Sequence, residues 1–200
     1  SSCPELKRLE LLYCSEPPRR LAQSISQSPY LKELVIEAFM NIDGAWLGAA
    51  LHSIDCRLEV LELSHTHDPT TLAPSIHFQN LRKLKLSQVD FTEGWEGRLS
   101  GSLSNRLRAF HFHPSTYGDD DEDAKWTERG MTTLLQRLCD LPELEELRLD
   151  FVPLSLYHQR LIGSRMSQLR SLSLVNVGLR PEGAVSILRG CLNLRHLSVS

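Results

Sequence analysis

A six-residue phrase, apolar-x-x-apolar-x-apolar, recurs eight times and limits what this chain can fold into more than any other feature. It runs Leu6-x-x-Leu9-x-Leu11, Leu31-x-x-Leu34-x-Ile36, Leu58-x-x-Leu61-x-Leu63 and Leu81-x-x-Leu84-x-Leu86. It continues as Leu107-x-x-Phe110-x-Phe112, Leu144-x-x-Leu147-x-Leu149, Leu169-x-x-Leu172-x-Leu174 and Leu194-x-x-Leu197-x-Val199. The intervals between first leucines are 25, 27, 23, 26, 37, 25 and 25 residues, a register that chance does not produce. The closing apolar-x-apolar pair has period two, so both side chains face one side of a short strand. One such strand cannot hide that face. Eight copies side by side form a parallel sheet over a continuous core, supplied by 37 leucines in 200 residues.

Parallel pairing requires a return of a dozen or more residues, and the intervals leave room for a helix. Ala45–Ile54 is rich in good helix formers. Thr127–Cys139 places Met131, Leu134, Leu135 and Leu138 at helical spacing, with Thr127 as N-cap. Pro181 opens another helix, with Ala184, Val185 and Leu188 on one face and Gly190 as C-cap. The return between Thr66 and Leu81 contains Pro69 and Pro74 and predicts a single turn or a 3₁₀ piece. The expected fold class is α/β, a curved solenoid or horseshoe of about eight repeats of roughly 25 residues. Its parallel sheet lines the concave side and its helices the convex side. Residues 1–200 form a single domain, with an acidic insertion at 115–126.

The charge balance, 22 basic against 25 acidic residues, lacks the basic stripe of a nucleic-acid binder. The apolar stretch Ala45–Leu51 is far short of the roughly 20 residues that span a bilayer. No basic segment followed by an apolar core opens the chain, so no secretory signal is visible. Five cysteines without a CxxC pair read as reduced thiols of an intracellular protein, cytoplasmic or nuclear. No phosphate loop, HExxH or GxSxG appears, and nothing places a nucleophile beside a base. No cofactor and no enzymatic activity are expected.

These residues resemble a leucine-rich repeat of the longer, helix-returning classes. The seventh unit shows it best: Leu169-Arg-Ser-Leu-Ser-Leu174-Val-Asn-Val-Gly-Leu179, a helix, then Gly190-Cys191-Leu-Asn-Leu194. A cysteine two or three residues before the next leucine, as at Cys3, Cys56 and Cys191, is similar to the cysteine-containing repeats of F-box proteins. Cys14 holds the turn position where such repeats place Asn or Cys. Phe39, Thr66, Val89, Ser115, Val152 and Val177 fill it elsewhere, a degeneracy that resembles irregular fungal F-box-like proteins more than the ribonuclease-inhibitor type. The F-box motif itself is not among these residues. Neither end shows the polar cap that keeps a solenoid soluble, so a longer parent chain is expected. The resemblance implies a substrate receptor of a cullin-type ubiquitin ligase, joined to the F-box adaptor and cullin through an N-terminal region. Two other classes remain open. One is a GTPase-activator or inhibitor type of regulator, for which Arg148 is the placed arginine; the other is the sensor repeats of an immune-type receptor.

Alternation fixes the outward strand positions: Glu10 and Leu12, Val35 and Glu37, Glu62 and Ser64, Lys85 and Ser87, His111 and His113, Arg148 and Asp150, Ser173 and Val175, Ser198 and Ser200. Just past the strands lie Tyr13, Ala38, His65, Gln88, Pro114, Phe151 and Asn176. This mixed face suits a protein partner, with aromatic anchors among mixed charges. The candidate contacts are Leu12, Tyr13, Glu37, Lys85, His111, His113, Arg148, Asp150, Phe151 and Val175. Two His-x-His pairs, His65/His67 and His111/His113, raise a metal site. They lie two repeats, roughly 10 Å, apart, and zinc takes three or four ligands, so solvent-facing histidines are expected. The run Tyr117-Gly-Asp-Asp-Asp-Glu-Asp123 lacks a calcium-loop pattern and reads as a solvated insertion. Trp95 and Trp126, beside helix starts, read as packing residues.

Overall fold

The computed structural model describes residues 3–13, 21–37, 44–54, 56–65, 78–89, 95–114 and 128–200. Eight strands form one sheet in the order β1-β2-β3-β4-β5-β6-β7-β8, every pairing parallel. They are β1 Arg8–Leu12, β2 Glu33–Glu37, β3 Val60–Ser64, β4 Lys83–Val89, β5 Ala109–Pro114, β6 Glu146–Asp150, β7 Ser171–Val175 and β8 His196–Val199. Six helices lie among the described residues: α1 Leu21–Ser26, α2 Gly44–His52, α3 Trp95–Ser102, α4 Glu128–Cys139, α5 Leu156–Arg165 and α6 Pro181–Gly190. The chain is α/β. No helix among the described residues is long and apolar enough to cross a membrane.

The register follows from the phrase. Its second apolar residues align across the sheet as Leu9, Leu34, Leu61, Leu84, Phe110, Leu147, Leu172 and Leu197. Its third align as Leu11, Ile36, Leu63, Leu86, Phe112, Leu149, Leu174 and Val199. From β2 to β7 both rows are buried against the helices, each side chain contributing about 1.5–3 kcal/mol. A slip of one residue would turn every leucine to the open face. The first leucine of each phrase donates its amide across a turn, as Leu31 does to Ser28 and Leu169 to Met166. Phe110 and Phe112 replace leucines where the facing helix α3 is thin in large side chains. Trp95 fills the remainder, stacking on Phe112 with ring centroids 5.1 Å apart.

Several expectations require correction. Gly190 is the last residue of α6 rather than its C-cap, which is Cys191 with φ −85°. Glycine is needed there because a Cβ would collide with the carbonyl oxygen of Gly163 on α5. Val185 and Leu188 are exposed, and the packed face of α6 carries Gly183 and Ile187 instead. Cys3 and Cys191 both open the turn before their leucine, but Cys56 stands one place later and is exposed while Cys191 is buried. Helix α5 was not anticipated. Thr127, Trp126, Cys14, Phe39, Thr66, Ser115, Pro69, Pro74, His67 and the acidic stretch 115–126 lie outside the described residues, apart from which Val89, Val152 and Val177 are buried core residues.

Polar groups knit the later helices together. Gln159 is fully buried on α5, donating to the carbonyls of Leu154 (2.9 Å) and Gly178 (3.0 Å) and accepting from the Arg180 amide (3.0 Å). Both amide donors and the carbonyl oxygen thus have partners, in the turns before α5 and α6, which is what an interior amide requires. Ser155 and His158 form a capping box at the start of α5. The Ser155 amide donates to His158 Nδ1 at 3.3 Å, so Nε2 carries the proton and donates to Thr132 Oγ1 on α4 at 2.9 Å. Burial holds the His158 imidazole below its ordinary pKa, the nearby Glu128 opposing this in part.

Candidate functional site

The residues that close each strand set the geometry of the open sheet face. Tyr13, His65, Gln88, Phe151 and Asn176 adopt left-handed backbone, with φ between 50° and 57°. All five belong to the series read from the sequence as lying just past the strands, although Gln88 falls inside β4, which runs on to Val89. Pro114 stands in the same series, and its ring forbids that conformation. Ala38 lies outside the described residues. A left-handed residue with a side chain costs about 1–2 kcal/mol. In return the amide extends the ladder by one bond: Tyr13 to Glu37 (2.9 Å), His65 to Ser87 (2.9 Å), Phe151 to Val175 (2.7 Å) and Asn176 to Ser200 (2.9 Å). Asparagine accepts this backbone readily, whereas tyrosine and phenylalanine do not. Tyr13 and Phe151 therefore hold bulky rings where the backbone favours a small polar residue, and they stay 75% and 42% exposed.

The ten candidates fall into two groups. On β1 and β2, Tyr13 Oη donates to Glu37 Oε1 at 3.0 Å, with Leu12 exposed beside them. The Glu37 hydrogen bond and charge raise the Tyr13 phenol above its usual value. The second group spans β4 to β7. Lys85, His111, His113, Arg148 and Asp150 line a pocket of about 180 Å³ on the open face. His113 stacks on Phe151 with ring centroids 5.0 Å apart, and Val175 accepts the Phe151 amide. Burial lowers the His113 pKa, with the Asp150 charge working against it. The intervening β3 places the two groups about 10 Å apart across the sheet, at about 4.8 Å per strand.

Within the pocket the charges are tied down. Arg148 Nε donates to Asp150 Oδ2 at 2.7 Å, and His111 Nε2 meets Glu146 Oε1 at 2.8 Å. Lys83 Nζ and Lys85 Nζ reach the two oxygens of Glu62 at 2.7 and 3.8 Å. Burial alone would raise the Glu62 carboxyl, but the Lys83 hydrogen bond and the charges of Lys83, Lys85 and Arg8 carry it below its usual value. Asp150 lines the open-face pocket, yet little of it is exposed. Its exposure is 3%, and its Oδ1 is buried without a hydrogen-bond partner. The other oxygen accepts from Arg148 Nε and so holds that guanidinium at the pocket.

Cys139 and Cys191 are buried free thiols, and burial pushes Cys139 up to about 12. A thiol held that far from ionisation is a poor nucleophile. Sequence reasoning missed a second cluster at the opposite end of the strands, where Lys32, Arg57, Arg82 and Arg106 line a pocket with Glu59 and Asn80. Its signal was available in the residues flanking each first leucine. No protein-family profile matches this chain, and a search of curated proteins returns no significant match.

Proposed function

We propose that this chain is a leucine-rich-repeat solenoid whose open sheet face forms the concave wall of a horseshoe and recruits a protein partner. The observation that carries this is the pair of exposed aromatic rings, Tyr13 and Phe151, kept at left-handed positions beside side chains already fixed by ion pairs. Prefixed polar groups around rigid aromatic anchors lower the entropy cost of association and supply its few dominant contacts. The mixed charge of the face favours a folded protein or peptide over a polyanion. By its resemblance to F-box-associated repeats, the protein serves as a substrate receptor of a cullin-type ubiquitin ligase, with ligation chemistry left to other subunits. No catalytic role falls to these residues.

Affinity purification of the intact protein with mass spectrometry, run beside a Tyr13→Ala/Phe151→Ala variant, tests both levels. Recovery of an F-box adaptor and a cullin with both proteins, and loss of one further partner from the variant alone, is expected. Retention of every partner by the variant would remove the open face as the recruiting surface. Absence of adaptor and cullin would remove the ubiquitin context.

A further inference from the structure

The rim formed by the turns before each strand carries an unbalanced charge over its middle part. Lys32, Arg57, Arg82 and Arg106 line a pocket of about 280 Å³ there, with Glu59 and Asn80. Among the described lining residues, four cations thus face one carboxylate, and that carboxylate is engaged by Lys32 Nζ at 2.6 Å. The Lys32 hydrogen bond depresses the Glu59 carboxyl most, with the Arg82 charge adding to it, which places Arg82 within electrostatic reach.

Two of the guanidiniums, those of Arg57 and Arg106, are anchored by hydrogen bonds. Arg57 Nη2 donates to the carbonyls of Ser26 (3.1 Å) and Ile25 (3.4 Å) at the end of α1, and its Nε is buried without an acceptor. Arg106 Nη1 donates to Asn80 Oδ1 at 2.9 Å, and Asn80 is itself anchored on the Cys56 carbonyl. None of the three arginines here has a carboxylate within salt-bridge distance among the described residues. Further along the same rim three arginines have carboxylate partners: Arg108 with Glu143 (3.0 Å), Arg165 with Asp140 (2.7 Å) and Arg170 with Glu145 (3.9 Å).

We propose that this pocket binds a phosphate dianion. Guanidinium forks match planar pairs of oxygens. One carboxylate satisfies one fork and one charge, whereas a phosphate monoester carries close to two charges at neutral pH and three strong acceptor oxygens. It therefore suits a pocket lined by a surplus of positive charge better than an acidic side chain does. The site lies on the turns before the strands, away from the open-face pocket, and stands or falls independently of the protein-recruiting role.

The test is calorimetric titration of the full chain with inorganic phosphate at constant ionic strength, and with a phosphoserine peptide beside its unphosphorylated form. Saturable binding of at least one phosphate probe is expected. It should weaken tenfold or more in Arg82→Gln and in Arg106→Gln, the loss of a charge-assisted hydrogen bond in each case, with circular dichroism unchanged. Arg195→Gln, a basic rim residue far from the pocket, should bind as the native chain does. Tighter binding of the phosphopeptide assigns the phosphate to a modified side chain, and equal or weaker binding assigns it to the free ion. Lack of saturable binding by either probe overturns the proposal, as does equal weakening by Arg195→Gln or indifference to Arg82→Gln and Arg106→Gln. Asp55, beside Cys56, lies outside the described residues. Phosphate uptake by Asp55→Asn and not by the native chain also overturns it.

Discussion

Helices α3 and α6 each contain two glycines and put them to opposite use. In α3, Gly97 and Gly101 face space, with nothing within 4 Å of where a Cβ would stand. In α6, Gly183 and Gly190 stand where a Cβ would strike Gln159 and the Gly163 carbonyl of α5. Gly163 returns the constraint, since its own Cβ would meet the Ser186 backbone. The later helices touch backbone to backbone and are pinned by buried Gln159 and His158, while α3 rests on the sheet through Trp95 and Leu99. The same residue type is a propensity cost in one helix and a packing requirement in the other. Only the neighbouring element tells them apart.

Three changes would break or sharpen this contrast. Gly190→Ala has the largest expected effect. Overpacking typically costs about 1–3 kcal/mol, and a clash with backbone cannot be relieved by a rotamer, so a loss of about 3 kcal/mol is expected in urea unfolding. A loss below about 0.5 kcal/mol, the level of an ordinary surface change, would mean that α5 and α6 are not in close register.

Acid should loosen the later helices next. The folded state holds the His158 imidazole below its ordinary pKa of 6.5, so it binds fewer protons there than the unfolded chain does. The stability this group contributes is complete above pH 6.5 and drains away as the pH falls through and below that value. Protonation would also remove the acceptor that Nδ1 offers the Ser155 amide. Amide exchange at the start of α5 should quicken between neutral pH and the folded pKa. His158→Gln preserves a capping-box acceptor without titrating and should flatten that response. An unchanged profile would shift the cause to another group, with half-buried His113 the first to examine.

The smallest change has the opposite sign. Gly97→Ala in α3 meets no neighbour, so it should gain about 0.5–1 kcal/mol from helix propensity alone. Destabilisation by this substitution would mean that α3 packs as closely as α6 does, and the contrast would fail.

The sheet was legible in the sequence because period-two leucines at near-constant spacing leave one parallel register. The row of residues just past the strands was legible too, except that Gln88 and Pro114 fall within β4 and β5, but its left-handed backbone was not, since no composition marks it when Tyr and Phe occupy it. Helix α5 escaped notice because Ser155 caps it with a histidine three residues on, in place of the usual Glu or Gln. Gly190 was misassigned because a helix-terminal glycine looks alike whether it caps or lets another helix approach. Burial of Asp150 depends on how the side chains of neighbouring strands gather around it, which alternation along one strand does not show. The basic rim pocket joins side chains about 25 positions apart in successive turns, as Arg57, Arg82 and Arg106 are, so it shows only once the phrases are laid side by side.

The sequential strand order also bears on mechanical strength. Every strand from β2 to β7 is bonded only to the strands before and after it in the chain. A load applied across the sheet from β1 toward β8 would therefore meet its pairings in series rather than all at once, like the teeth of a zipper. Resistance would be set by the weakest single pairing, and the sheet would yield in steps of one strand and its return. Refolding after release would add one neighbouring pair at a time, with short loops to close at each step.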